Sequence, residues 1–191
     1  ATAASQLSPN EFLEMQTNAK LYEESANPEK EAGNNWPPII SLSEAQNYSF
    51  RVGNATLAPQ FSSALKGSIA QEILTILQQY EADVIEVIGH TDPQPMRSNR
   101  VTNLDKTAND FLYSNRNVSL SAKDNAGLGY ARALSVTKEL MKVPKLSNYT
   151  ILPYSAAQMI TPNEELSDGS SNYSGQQLRR IEIRVRRKQG N

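Results

Sequence analysis

Two periods run through the apolar positions of this 191-residue chain. Over residues 62–80, Leu65, Ile69, Ile73, Ile76 and Tyr80 recur at steps of three or four, which predicts one helix with a single buried stripe. Pro59 suits its entrance. Residues 126–143 repeat the pattern through Ala133, Val136, Leu140 and Val143, and Pro144 stops it. The β-branched run 84–88 predicts a strand, bracketed by Gly89 and Pro93. Residues 149–154 predict another. Residues 39–42 and 48–50 read as strand pieces around a polar interruption. From Arg180 to Val185 the alternation is strict, with Ile181, Ile183 and Val185 on one side and Arg180, Glu182 and Arg184 on the other, as in a half-buried strand.

Two stretches break the pattern. Residues 1–37 open with Ser8 as a cap, Pro9 and Glu11, then Phe12, Met15 and Ala19 at helical spacing. Asn27-Pro28 and the run from Gly33 to Pro38 end any helix there, so residues 1–37 are expected to be a helix and linker extension. Residues 94–123 are polar, without a period, and read as an insertion with at most a short helix near residues 105–113. Residues 161–177 read as a polar loop. The order is β, α, β, insertion, α, β, loop, β. It predicts one α+β domain over residues 38–191, a sheet with helices packed on one face.

Composition removes several functions. With 19 Lys and Arg against 20 Asp and Glu, no basic excess exists for a broad nucleic-acid footprint. There is no cysteine, which excludes disulfides, thiolate metal sites and a cysteine nucleophile. A single histidine excludes a His-rich metal centre. No apolar window is long enough to span a bilayer. A chain that starts at Ala1 without a charged-then-apolar leader is expected to be a processed or excised part, any membrane anchor lying in a segment outside it.

The candidate chemistry sits at strand and helix ends. Gly89-His90-Thr91-Asp92 follows the strand 84–88, and Asp92 is placed either to meet a ligand or to cap the turn. His90 lacks metal co-ligands and a nucleophile elbow, so a structural hydrogen-bonding role stands ahead of catalysis. Arg132 lies in the early turns of the second helix, where it can fork a carboxylate or remain a solvated surface residue. Arg179, Arg180, Arg184, Arg186, Arg187 and Lys188 are expected on the solvated face and tail of the last strand. Glu164, Glu165 and Asp168 lack calcium-loop spacing and are expected in solvent.

Four strings occur in order: Phe50-x-x-Gly53-x-Ala55-x-Leu57-x-Pro59; Gly89-His90-Thr91-Asp92; Asn125-x-Gly127-Leu128-x-x-x-Arg132-Ala133-x-x-Val136; and Arg179-Arg180-Ile181-Glu182-Ile183. Together they resemble the OmpA-like peptidoglycan-binding family, which includes OmpA, Pal and MotB. The stretch 39–42 is most similar to the MotB-type variant. The resemblance spans roughly residues 38–188. It implies a β-α-β-α-β-type two-layer sandwich with a mixed sheet, and noncatalytic binding of peptidoglycan through the diaminopimelate residue of the stem peptide. It implies an anchor of the bacterial cell envelope, periplasmic, with no cofactor, no nucleic acid and a possible homodimer. The family's carboxylate falls on Asp92 and its helix arginine on Arg132. Its other ligand-binding positions fall on Asn125, Leu128, Thr91 and the Gly53-Asn54 stretch.

Diaminopimelate ends in a zwitterion, which calls for one fixed anion and one fixed cation. Asp92 and Arg132 meet that description. Residues 94–123 depart from the family by entering between those two, and are expected to rim the pocket, where Arg97, Arg100 and Lys106 either meet ligand carboxylates or stay solvated. Ala131 stands where many members have a basic residue. Two other functions compete. One is an envelope protein-interaction module whose surface is the insertion. The other is a wall hydrolase, which the residue inventory does not equip.

Overall fold

The computed structural model describes residues 36–51, 54–97, 99–114, 116–170 and 172–189. The helix expected over residues 8–19, the linker after it and Gly53 lie outside the described residues. Pro37–Asn191 is one compact unit, to which everything below refers.

The first strand, β1 (Ile40–Ser43), buries Ile40 and Leu42. A single 3-10 turn, Glu44–Gln46, follows it. The stretch 48–50 is not a sheet strand. Phe50 bridges only to Leu57, and Arg51 N–H donates to Thr56 O at 2.8 Å. The loop thus satisfies its own backbone groups instead of a neighbour's.

The helix expected over residues 62–80 is two helices, α1 (Pro59–Lys66) and α2 (Ser68–Gln79). They break at Gly67, with φ −109° and ψ −104°. Glycine is the residue least able to hold a helix interior against its own conformational freedom. The apolar stripe survives the break, because Leu65, Ile69, Ile73 and Ile76 are all buried.

Next come β2 (Val84–His90), α3 (Leu104–Tyr113), α4 (Asn125–Met141), β3 (Thr150–Ala157), a short turn α5 (Gly175–Leu178) and β4 (Arg180–Arg186). The sheet order is β1-β4-β2-β3. β4 runs antiparallel to both β1 and β2, and β2 runs parallel to β3. A parallel pair needs a crossover. α4 makes it, with residues 94–123 inserted ahead. The fold is α+β, with a mixed four-stranded sheet.

The main core lies between one sheet face (Leu42, Ile85, Val87, Ile181, Ile183) and the apolar sides of α1, α2 and α4. Each fully buried Leu or Ile there contributes about 1.5–3 kcal/mol relative to exposure. A second, smaller cluster joins Leu104 and Ala122 of the inserted segment to Leu128, Ala131 and Leu134 of α4, with Met96, Phe111 and Leu120 packed against it. The segment therefore has a core of its own. Ala131 is buried beneath it.

The opposite sheet face corrects one expectation. Arg180 and Glu182 are each only 3% exposed. The loop after β3 folds over them, and Arg180 donates to the carbonyls of Thr161 (3.0 Å), Ile160 (3.3 Å) and Leu178 (3.4 Å). β4 meets solvent on this face only from Arg184 onward.

The approach of α4 to β2 has no slack. A Cβ on Gly89 would stand 2.0 Å from Gly129 O, and a Cβ on Gly129 would stand 2.4 Å from Ser155 Oγ and 2.7 Å from Gly89 O. Ser155 Oγ also donates to Ala126 O at 2.7 Å, fastening the first turn of the helix to β3. Overpacking a tight interior costs about 1–3 kcal/mol, and here the obstacle is backbone. Gly89→Ala is expected to destabilise by about 3 kcal/mol or more, a fall in Tm of roughly 6–12 °C for a unit this size. Thermal denaturation checks it, and an unchanged midpoint would mean that the helix can slide.

Candidate functional site

The Gly89–Gly129 contact sets the start of α4 beside the end of β2, and a cleft opens there. It encloses about 550 Å³. Asp92, Asn125, Leu128 and Arg132 line it, so four of the sequence-predicted residues come together. Asp92 lies two residues past β2. Its Oδ1 accepts from Gln94 N–H at 3.2 Å, which is a turn-capping bond, and its Oδ2 pairs with Arg179. Asn125 begins α4 and donates through Nδ2 to Asp92 O and Gln94 O, both at 3.2 Å. Asp124 caps the helix by accepting from Gly127 N–H at 2.8 Å. The turn that carries Asp92 is thus pinned by the helix that carries Arg132.

Arg132 is the unusual group. It is 3% exposed, yet makes no ion pair among the described residues. Its guanidinium lies 5.0 Å from the centre of the Phe50 ring, a cation–π contact. Nε–H donates weakly to Asn54 O at 3.4 Å, and Nη1 has no partner. Burial lowers its pKa, opposed by Glu44, then reinforced by Arg179 and opposed again by Asp92. An arginine stays charged even so. A buried charge is stable only when paired and hydrogen-bonded. This one faces a cleft and lacks an anion among the described residues.

Two residues that sequence reasoning missed complete the wall. Arg179 donates from Nε to Glu44 Oε2 at 2.6 Å while pairing with Asp92. Burial alone would lower the Arg179 pKa, but Glu44 and Asp92 outweigh it and the pKa rises. Gly175 leaves the necessary space, since a Cβ there would lie 2.8 Å from Arg179 Nη1. Arg179 therefore does not belong to a solvated tail. Its signal was its place beside Arg180 in the fourth string. Glu44 had none, because only the 3-10 turn after β1 brings it to Arg179.

The remaining predicted residues stand aside. Thr91 is buried behind the cleft, its N–H donating to Ala157 O at 2.8 Å. Asn54 offers its carbonyl to Arg132 and its side chain to Thr56 N–H at 2.8 Å, and lines a neighbouring groove instead. Of the inserted segment, Gln94, Pro95, Met96, Arg97 and Arg100 also line the cleft, whereas Lys106 does not.

His90 points the other way. It is fully buried, with Nε2 3.4 Å from Glu182 Oε1 and neither ring nitrogen hydrogen-bonded. Glu182 in turn holds Arg180 at 2.7 Å and Arg184 at 2.8 Å. Glu164 is not simply solvated, since it reaches Arg184 at 2.9 Å. Among the described residues no group of three or more His, Asp or Glu could hold a metal ion, and no helix is long and apolar enough to cross a membrane.

No protein-family model matches the chain, and no curated protein matches it in sequence. It is similar to solved structures of the type its motifs resemble. The periplasmic domain of Helicobacter pylori MotB (residues 78–256) is 18% identical over 77% of this chain and 74% of that one, with a TM-score of 0.47. A shorter form of that domain (residues 97–256) is 18% identical over 76% and 79%, with a TM-score of 0.49. A MotB-like protein from Desulfovibrio vulgaris is 15% identical over 78% and 75%, with a TM-score of 0.44.

The buried cluster behind the cleft gives a pH signature. Burial pushes the His90 pKa below its ordinary 6.5, and Arg180 and Arg184 add to this against the pull of Glu182. Burial would raise the Glu182 carboxyl, but contact with His90 and the Arg184 and Arg180 guanidiniums holds it well below its ordinary 4.5. Below pH 6.5 the unfolded chain takes a proton that folded His90 refuses, so stability falls as pH drops through that window. Below 4.5 the unfolded carboxylate of residue 182 protonates first, and the loss steepens. Urea midpoints measured from pH 8 down to pH 5 are expected to decline below about 6.5 in the wild type and to stay flatter in His90→Gln.

Proposed function

We propose that this chain binds peptidoglycan without cleaving it, as a periplasmic anchor of the bacterial envelope, by holding the diaminopimelate residue of the stem peptide. The observation that carries the reading is Arg132, a buried guanidinium at a cleft with no anion of its own. It receives the ligand's carboxylate. The ligand's ammonium, on the same carbon, turns toward the carboxylates of Asp92 and Glu44, which Arg179 orients from behind. Among the described residues that line the cleft there is no nucleophile–base pair for hydrolysis.

Each charge-assisted bond nets about 1.5–3 kcal/mol. Two such bonds and a few backbone contacts correspond to a dissociation constant of roughly millimolar to micromolar for one muropeptide. A polymer with many copies of the ligand retains a tethered or multimeric protein far more firmly than a single site does.

Co-sedimentation with diaminopimelate-type peptidoglycan tests the reading. Wild type is expected in the pellet. Arg132→Met keeps the buried stem over Phe50 and is expected to weaken binding about 10–100-fold. Its Tm is expected to hold or rise, because an apolar side chain replaces an uncompensated buried charge. Asp92→Asn is expected to weaken binding with the fold intact. Wild type left in the supernatant, or both variants pelleting like wild type, would overturn the clamp.

A further inference from the structure

The Arg179 guanidinium joins two carboxylates of the cleft. Its Nε–H donates to Glu44 Oε2 at 2.6 Å, and its Nη1 pairs with Asp92 Oδ2. Those nitrogens belong to one rigid plane, so the two carboxylates stand side by side. Together the three groups carry one net negative charge. Arg132 carries one positive charge at the same cleft. The anion that a zwitterion requires is therefore the triad as a whole, and one oxygen of it must meet the ammonium.

The four carboxylate oxygens are not equivalent. Asp92 Oδ1 accepts from Gln94 N–H at 3.2 Å, and Oδ2 is held by Arg179. Glu44 Oε2 is held by Arg179 as well. Glu44 Oε1 alone has no hydrogen-bond donor among the described residues. Glu44 lines the cleft and its side chain keeps 15% exposure, so this oxygen can take a ligand's donor without displacing a protein partner. A charge-assisted bond is strongest where the acceptor is not already shared. Glu44 is also the carboxylate most closely coupled to Arg132. Burial lowers the Arg132 pKa, and of the charges acting on it Glu44 is the strongest, ahead of Arg179 and Asp92. The spare oxygen and the unpaired cation are thus near neighbours, as two charges on one carbon of a ligand require.

Glu44 is fixed before any ligand enters. Its N–H donates to Arg179 O at 3.1 Å, so residues 44 and 179 are joined through main chain and side chain. The 3-10 turn that it opens is closed by Ser43, whose N–H and Oγ–H both donate to Gln46 Oε1 at 3.1 Å. An acceptor held this way meets its ligand in position.

Resting on the reading above, we infer that Glu44 is the residue that receives the ligand's ammonium, and that Asp92 is a positioning residue that holds Arg179, and through it Glu44, in place.

Two synthetic tripeptides test this, L-Ala-γ-D-Glu-diaminopimelate and an analogue with 2-aminopimelate in the third position, which lacks only the terminal ammonium. Each is titrated calorimetrically into the full chain. Wild type is expected to bind the first about 10–100-fold more tightly, the worth of one charge-assisted bond. Glu44→Gln keeps a carbonyl for Arg179 Nε–H and puts an amide where the spare oxygen stood. It is expected to bind both peptides alike, about as wild type binds the analogue. Asp92→Asn is expected to weaken both peptides by a similar factor and to keep the preference. A Glu44 that only propped Arg179 would do the same, so a preference that survives in Glu44→Gln, or one that vanishes in Asp92→Asn, would overturn the assignment. Equal affinity of wild type for the two peptides would overturn the ammonium site and leave the Arg132 contact standing. Failure of wild type to bind either peptide would overturn the reading of the cleft as well.

Discussion

The close approach of Gly89 to Gly129 is the constraint on which the site depends. Two backbones meet with no side chain between them, at a separation where a Cβ on either would collide with the other's carbonyl. This contact decides how deep α4 lies on β2, and so how far Arg132 stands from the turn that carries Asp92. Asn125 then ties that turn to the helix, and Ser155 ties the helix to β3. Asp92 and Arg132 are forty positions apart in sequence, yet both positions follow from one junction of helix and strand. Sites on rigid elements hold their geometry better than sites on loops.

Two buried charge clusters lie on either side of that junction, and they differ in kind. Behind the sheet, Glu182 is surrounded by Arg180, Arg184 and His90, and Arg180 is further bonded to three carbonyls. In that network both arginines meet the Glu182 carboxylate, although the His90 nitrogens and Arg184 Nε stay without hydrogen bonds. Its role is to hold the loop after β3 against the sheet. In the cleft, Arg179 is saturated by Glu44 and Asp92, but Arg132 is left with an aromatic face and one long bond to a carbonyl. Burying a cation without its anion lowers stability. A fold that tolerates this beside an open cleft keeps an unpaired cation at the expense of some stability, the kind of local conflict that points to a candidate site.

Much of this was legible from residue order. Ile181, Ile183 and Val185 alternate and are buried as expected, and the stripe from Leu65 to Ile76 reached the core although Gly67 cuts its helix in two. Asp92 and Arg132 stood out because one follows a predicted strand and the other lies in the early turns of a predicted helix, whereas Asn125 and Leu128 were named by the family resemblance. The pairing of Arg179 with Glu44 was not legible, because it joins the turn after β1 to the residue before β4, a contact made only when those strands lie side by side. Arg180 and Glu182 misled for a related reason. Alternation separates two faces of a strand, but whether the second face is covered depends on a loop elsewhere in the chain, here near Ile160 and Thr161.

The place of residues 94–123 follows from the same geometry. The crossover from β2 to β3 must climb over the helix layer, and any length added between Asp92 and Asn125 emerges where the strand ends, at the mouth of the cleft. Asp92 is held from behind by Arg179 and Arg132 is held within α4, so the segment can grow without moving either. What it must do is pack its own apolar residues. It does so on the flank of α4 that Ala131 leaves low, through Leu104, Phe111 and Leu120. The chain holds alanine there, and the segment brings Arg97 and Arg100 to the cleft lining.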